Sequence, residues 1–561
     1  MTEKRSAVWE FYLVNDEGKS AKCIECNATI SRGGIGKNAT NTAMVNHLKL
    51  HPKLYQAYGA KECERKSSKA SKERLSQTTL KECFFFFNEL KECLSAAEKW
   101  DPKSIKSKEI TGAIAEMMVL DLQPFSMVEN EGFRRLMAKM QPKYQIPSRK
   151  YFSTTIIPDM YAKCREAKQK SLPRNGFISC TTDIWSSPSN KAVISLTGHW
   201  LDENCAKQHA ILNTCEFPGS HTGERIGNKI HGILADWNIP VSSVHLILRD
   251  NAANMIKGLD TAELPHAGCF IHTLQLVVLD ALDSQKAVRD LIAKSRNIVT
   301  HFNHSPLACD KLLEIQKRYE LTEHKLVQDI RTRWNSTFYM LQRLNDQRPA
   351  VTYYTGEFNS IKNLSECEWN LISPVLELLG PFEEITCLIR SENSCISEVI
   401  PYVITLRSYL EKPNKNQKSV EATKDALLRN MKSRFRLILQ ESVFTYATVV
   451  DPRFKFNFIP EEERAPLKDK IIAEITECSQ DAVRTSDDSP LPGPSSANRL
   501  GSFPAVFKLI RKYLSAPAST IFSERLFSTE GLVSEQHRSS LLPEKAEMIT
   551  CLNRNFKFLN E

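Results

Sequence analysis

No stretch of about 18 consecutive apolar residues occurs in this 561-residue chain, so no transmembrane helix is expected. No apolar core follows the opening Met1-Thr2-Glu3-Lys4-Arg5, so no secretory signal is expected either. A disulfide framework is also lacking. The 16 cysteines are scattered over a long chain rather than crowded into a short one, which argues for a reducing compartment. Most of them read as small buried hydrophobes. Nor does one sign of charge dominate the body of the chain. Residues 81–561 hold 61 Lys and Arg against 58 Asp and Glu, a surplus of +3, while residues 1–80 hold 14 against 8, which is +6 of the net +9. Attraction for a polyanion is therefore concentrated near the N-terminal end. At 41% hydrophobic and 25% charged, the chain has the composition of a folded protein with room for several domains.

What is present near that end is Cys23-x2-Cys26 followed, after twenty residues, by His47-x3-His51. Four such ligands can close one tetrahedral zinc site. Histidines four apart share one face of a helix. The intervening Arg32, Lys37, Asn38, Thr40, Asn41 and Thr42 are the residue types that contact phosphates and base edges at the leading end of a helix. Double-stranded DNA is the expected partner, with a zinc module that binds only protein as the alternative. Ser6, Val8, Trp9 and Phe11 precede the cysteines, a polar turn runs from Asn15 to Lys19, and Leu48 lies between the histidines. Over residues 5–57 this resembles the BED-type zinc finger of transposases and of host proteins derived from them. The resemblance implies an aromatic pair near the zinc and a histidine-bearing helix that reads the major groove.

Lys61 to Arg74 is rich in Lys and Ser and reads as a flexible basic linker, either a nuclear targeting patch or plain solvated chain. Phe84 to Phe87, within Leu80 to Leu94, cannot share one side of a helix, so that element must be buried all round or covered. Ile110 to Leu122 is apolar at helical spacing. The central region then alternates. Strands are expected at Phe177–Ile184, Lys191–Leu201, His209–Phe217, Val244–Leu248 and His266–Phe270, and helices at Thr222–Trp237 and Ile271–Leu282. Three strands, a helix, then strand and helix in turn is the order of an RNase H-like α/β sheet with a mixed edge.

Asp183 and Asp250 each stand at or near the end of an expected strand. If those strands pair, the carboxylates approach and repel unless a cation lies between them. Divalent metal there would suit in-line attack on a phosphodiester; single Asp residues at strand ends are also ordinary turn formers. Further on come Phe503-Pro504-Ala505, Tyr513 to Thr520 and Phe522-Ser523-Glu524-Arg525-Leu526-Phe527. These resemble the C-terminal dimerisation signature of hAT-superfamily transposases. Thr182-Asp183-Ile184-Trp185, Asp250 to Asn254, Cys269-Phe270-Ile271-His272 and Thr332-Arg333-Trp334-Asn335 resemble that family's core motifs. The resemblance implies that Asp183, Asp250 and Glu524 form the acidic, Mg²⁺- or Mn²⁺-binding catalytic triad of active members. It implies that Trp334 stacks on a flipped base, and that Cys269, His272 and Arg333 line the site.

The expected fold is multidomain α/β: an N-terminal ββα zinc finger plus an RNase H-like core interrupted by a mainly helical insertion. The finger spans 1–60, the linker 61–80, a helical domain 81–170 and the first part of the core 171–285. The insertion spans 286–500, with a disordered loop near 476–502, and a dimerisation region, 501–561, completes the core. Glu366–Ile389 and Val399–Leu410 carry the insertion's helical pattern. Ala505–Leu514 and Leu541–Leu552 hold more apolar surface than a free helix tolerates, so they cover the core or a second subunit. The expected function is a nuclear, zinc-dependent, sequence-specific DNA-binding homodimer acting in transcription regulation, away from membranes. The alternative is an active cut-and-paste transposase.

Overall fold

The computed structural model describes residues 6–14, 19–32, 40–73, 99–173, 176–186, 191–413, 415–484, 504–527 and 542–559. The chain divides into two compact units, Met1–Pro102 with Leu136–Gln145, and Lys103–Arg135 with Ile146–Glu561. Lys37, Asn38 and the Phe84 to Phe87 run lie outside the described residues.

The first unit opens with an antiparallel meander, β1 (Tyr12–Val14), β2 (Ser20–Cys23) and β3 (Thr29–Ser31), in the order β1-β2-β3. Tyr12 pairs with Cys23 and Ala21 with Ile30. Helices α1 (Thr42–Leu48) and α2 (Pro52–Glu73) follow. Val8, Phe11, Tyr12, Ala21, Met44 and Leu48 form its core, and the Tyr12 hydroxyl donates to the Met44 carbonyl at 2.8 Å. The expected linker differs from this structure, because α2 continues through residues 61–73. Its polar face is tied back to the start of the unit. Glu62 accepts from the Ala7 amide at 2.9 Å, Lys61 pairs with Glu10, and Tyr58 meets Phe11 edge to face.

The second unit begins with α3 (Ile105–Leu120) and α4 (Ile157–Ser171). Then come β4 (Ile178–Ser186), β5 (Ala192–Leu201), β6 (Lys207–Glu216), α5 (Gly223–Asp236), β7 (Val244–Arg249), α6 (Ala253–Thr261), β8 (His266–Gly268) and α7 (Phe270–Ser284). The sheet order is β6-β5-β4-β7-β8, with β4, β5 and β6 antiparallel and β7 and β8 parallel to β4. This is the mixed-edge arrangement expected of an RNase H-like core. β4 and β5 are buried along nearly their whole length, as strands covered on both faces should be.

Residues 286–484 are helical, with no strand among the described ones. They comprise α8 (Lys286–His304), α9 (Pro306–Arg318), α10 (Trp334–Asp346), α11 (Arg348–Phe358), α12 (Glu366–Ile389), α13 (Val399–Glu411), α14 (Glu421–Arg434), α15 (Ser442–Val450) and α16 (Glu461–Arg484). Helix α12 starts sharply because Ser365 and Glu368 satisfy each other's backbone amides in a capping box. Part of the expected loop near 476–502 is helical, since α16 reaches Arg484; residues 485–503 lie outside the described ones. No described helix is long and apolar enough to cross a membrane.

Helices α17 (Pro504–Leu514) and α18 (Pro543–Asn555) pack within this same unit. Leu509, Tyr513, Ile549, Cys551 and Leu552 are buried there. These residues cover the core of one chain, while Val506, Phe507, Ile510 and Leu514 on α17 are half-buried.

The approach of α5 to α6 depends on glycine. A Cβ on Gly258 would stand 2.8 Å from the Gly223 carbonyl oxygen, and one on Gly227 2.8 Å from the Gly258 carbonyl oxygen. Gly258→Val should force the helices apart and cost about 1–3 kcal/mol. Gly232, with open space around it, is the control: Gly232→Ala should hold or raise the melting temperature, while Gly258→Val lowers it by several degrees in a thermal melt.

Candidate functional site

In the first unit the β2–β3 turn carries Cys23 and Cys26. Asn27 takes the left-handed conformation (φ 58°) that closes this turn, and the Cys23 amide donates to the Ala28 carbonyl at 2.9 Å. His47 sits in the last turn of α1. His51 does not continue that helix as expected. It lies in the turn before α2, where its amide donates to the Leu48 carbonyl at 2.9 Å. The turn still brings the imidazoles together, with ring centroids 5.1 Å apart.

One ligand atom from each of Cys23, Cys26, His47 and His51 lies within 4.8 Å of all the others, and Cys26 Sγ is 3.1 Å from His47 Nε2. Tetrahedral zinc with bonds of 2.0–2.3 Å needs ligand separations of about 3.3–3.8 Å. His51 Nε2 is buried without a hydrogen-bond partner, the state of a nitrogen whose lone pair is reserved for a metal. The donors therefore suit zinc in type, number and spacing. Around them, the Arg32 guanidinium lies 4.5 Å above the Trp9 ring. Thr40 and Thr42 are exposed, and Asn41, at the N-cap of α1, makes no side-chain cap bond. Tyr12, which the sequence reading passed over, anchors α1 to the sheet more directly than Trp9 does. Its position beside Phe11 and two before an exposed Val14 was the available signal.

In the second unit, Thr181 of β4 pairs in parallel with Leu248 of β7. Asp183, two residues further along β4, and Asp250, the residue after β7 ends, therefore stand toward the same end of two adjacent interior strands. Asp183 is buried and accepts from the Ile184 amide at 2.8 Å. Asp250 accepts from the Ala252 amide at 3.1 Å. Glu524 is half-buried in the helical stretch 521–527. Its neighbour Ser523 donates to Thr181 Oγ1 at 3.3 Å, which fixes that stretch to β4. Burial pushes the Asp183 carboxyl up to about 7; His272 works against this, and the Asp250 and Glu524 charges add to it. Burial disfavours the charged form of His272, yet Cys269, Asp183 and Glu524 outweigh it and raise the imidazole to about 9. His272 is thus a cation set among the acids.

Cys269 is fully buried, and despite that burial the hydrogen bond from His272 holds its thiol below the usual value. Thr520 joins the pair: its amide donates to Cys269 Sγ at 3.4 Å and its hydroxyl lies 3.5 Å from His272 Nδ1. Thr520 was missed in the sequence because hydroxyl residues in the Ser519-Thr520 pair carry no spacing signal.

Among the described residues the Cys23, Cys26, His47 and His51 group is the one set of metal-competent side chains that converges; Asp183, Asp250 and Glu524 do not form such a group. Trp334 stands apart from expectation. Its ring is 1% exposed and packs edge to face on Phe338, so it is a core residue with no face open to a base. Arg333, just before it, is exposed and has no side-chain partner among the described residues. The loop holding it is tied to α7 through Gln275, which donates to the Thr332 carbonyl.

Comparison with known proteins agrees with this layout. Residues 181–264 match the family model of the ZBED1 RNase-like domain, 267–378 that of the ZBED1 RNase-like helical domain, and 497–556 that of the hAT family C-terminal dimerisation region. Zinc finger BED domain-containing protein 4 of Homo sapiens is 30% identical over 84% of this chain and 41% of its own length. Zinc finger BED domain-containing protein 6 of Mus musculus is 25% identical over 97% of this chain and 62% of its own. The "Putative AC transposase" of Zea mays is 28% identical over 48% of this chain and 36% of its own. This chain therefore spans between about a third and just under two thirds of the length of these relatives. On these matches the chain belongs to the hAT transposase superfamily, together with the zinc finger BED domain-containing proteins.

Proposed function

We propose that this chain is a nuclear, zinc-dependent, sequence-specific DNA-binding protein derived from a hAT transposase, acting as a homodimer in transcription regulation. The observation that carries this reading is the convergence of Cys23, Cys26, His47 and His51. Zinc held there supplies the cross-link that a small module of three short strands needs to stay folded. Thr40, Asn41 and Thr42 at the leading end of α1 face base edges and phosphates, and Arg32, Lys37 and Asn38 complete the contact. The +6 surplus of residues 1–80 supports a polyanionic partner. The match of residues 497–556 to a dimerisation region supports the dimer. Two fingers on one dimer suit paired half-sites and raise affinity through effective concentration.

A second reading, a working cut-and-paste transposase, draws on Asp183 and Asp250, which stand toward the same end of two neighbouring strands, and on Glu524 near Asp183. In that reading the three carboxylates hold Mg²⁺ or Mn²⁺, which supplies charge stabilisation during phosphodiester hydrolysis and strand joining. His272 keeps a proton near the acids, and Cys269 and Thr520 orient its ring.

Two experiments test these readings. Stripping zinc with a chelator, or replacing His51 by Asn, should melt the first unit in circular dichroism. DNA affinity should then fall to the non-specific level, roughly a thousandfold or more, with recovery on adding zinc only to the unsubstituted protein. Affinity that survives both would overturn the finger reading. The full chain incubated with Mn²⁺ and labelled duplex carrying its own flanking genomic sequence should bind without strand breakage. Nicked or hairpin products that vanish in Asp183→Asn would instead establish the transposase.

A further inference from the structure

The two aspartates of the second unit are held in different ways. Asp183 lies within β4, paired with Ser195 of β5, so the ladder fixes its backbone. Asp250 follows the last residue of β7 and takes part in neither of that strand's ladders. Its backbone groups must be met by something else. Arg249 meets the carbonyl. This residue ends β7 and is 8% exposed, and its guanidinium turns onto the chain that follows. Nη1 donates to the Asp250 carbonyl at 2.9 Å and comes within 3.5 Å of Asn251 Oδ1.

A third contact aims the guanidinium. Nε donates to His266 Nδ1 at 3.2 Å. An imidazole nitrogen accepts such a bond only in the neutral ring that carries its proton on Nε2. Asp260 Oδ1 lies 2.8 Å from that Nε2 and calls for the proton there. His266 itself is pinned, because it pairs with Ile247 in the β7–β8 ladder and its side chain is 13% exposed. Asp260, His266, Arg249 and the Asp250 carbonyl thus form one directed chain.

Burial opposes the charge of Arg249, while Asp250, Asp260 and Glu441 favour it without making an ion pair with it among the described residues. The guanidinium is bonded instead to an imidazole and two amide oxygens. A lysine has no planar fork to make such bonds in fixed directions. The other side of the turn is closed as well. The Arg249 carbonyl accepts from the Cys269 amide at 2.8 Å, and Asn251 Nδ2 donates to Thr273 Oγ1 at 3.0 Å. The Asp250 carboxylate accepts from the Ala252 amide at 3.1 Å, so it goes where the turn goes.

We propose that Arg249 is a positioning residue for Asp250, and that Asp260 and His266 act through it by fixing the tautomer that aims the guanidinium. The proposal deepens the transposase reading, on which it rests for what the carboxylate holds. The turn itself is open to test without metal.

Amide hydrogen exchange of the full chain, read over residues 250–254, reports the turn, and exchange over β4 reports the fold. Arg249→Lys keeps the charge and loses the fork, and His266→Leu loses the acceptor. Each should speed exchange at 250–254 about tenfold, the effect of one lost hydrogen bond. His266→Asn keeps an acceptor oxygen near the place of Nδ1 and should stay within about twofold of the parent. A role in packing alone would not be rescued by asparagine. Asp260 is exposed, so Asp260→Ala tests the chain from the surface. It should speed exchange at 250–254 severalfold, and add nothing in His266→Asn, whose shorter side chain does not reach residue 260. Unchanged exchange in either Arg249→Lys or Asp260→Ala, or exchange in His266→Asn as fast as in His266→Leu, overturns the proposal. Mn²⁺ binding followed by electron paramagnetic resonance separates it from the reading beneath it. Mn²⁺ binding that is lost in Asp183→Asn and weakened in Arg249→Lys supports both. Binding as tight in Arg249→Lys as in the parent overturns the positioning. No Mn²⁺ bound by the parent overturns the transposase reading, and the exchange rates alone then decide the positioning.

Discussion

The parallel pairing of β4 with β7 is the constraint around which the second unit is built. Its register, which pairs Thr181 with Leu248, sets Asp183 and Asp250 toward the same end of two neighbouring strands. Two carboxylates there, one of them buried, cannot both stay charged without a nearby cation. The structure meets that demand with His272, placed by the first turn of α7 and steadied by Cys269 and Thr520. The C-terminal stretch is then needed on the sheet twice over. Ser523 and Ser515 bond to Thr181 and Ser179 of β4, and the same docking delivers Glu524. Core and C-terminal region are thus one folding unit despite the long helical insertion between them.

The two candidate metal sites differ in how far they close, and the reason is charge. Cys23, Cys26, His47 and His51 converge where the packing of Tyr12, Met44 and Leu48 holds the β2–β3 turn against α1. Three carboxylates repel at the same distances. Asp183 and Glu524 lie near the His272 cation, with Asp250 near Asp183.

Much of the core was legible in the sequence because its signals are local. A short apolar run with β-branched residues marks β4, alternation marks β5, and apolar residues at helical spacing mark α12. The zinc ligands were legible from spacing. Glu524 and the Cys269–His272 pair came from resemblance, since neither has a periodic signature. What escaped depends on partners distant in sequence. The Lys- and Ser-rich stretch 61–73 looks like a solvated linker until Glu62 meets the Ala7 amide and Lys61 meets Glu10. Trp334 looks like a stacking platform until the insertion buries it. The apolar faces of α17 and α18 left core and second subunit both open, because nothing local reveals that α15 and α16 pack on α17, or that β6 and α4 pack on α18.

That covering has a consequence for the sheet's outer edge. β6 is the last strand on its side, and its ladder with β5 slips register between Leu196 and Thr197. At that slip the Asn555 side chain takes the place of a missing neighbouring strand. Its Oδ1 accepts from the Ile211 amide at 3.0 Å and its Nδ2 donates to the Ile211 carbonyl at 3.3 Å. An open strand edge is a template for pairing with other chains. Loss of the Asn555 side chain would leave the Ile211 amide open at this edge, where another chain could pair with it.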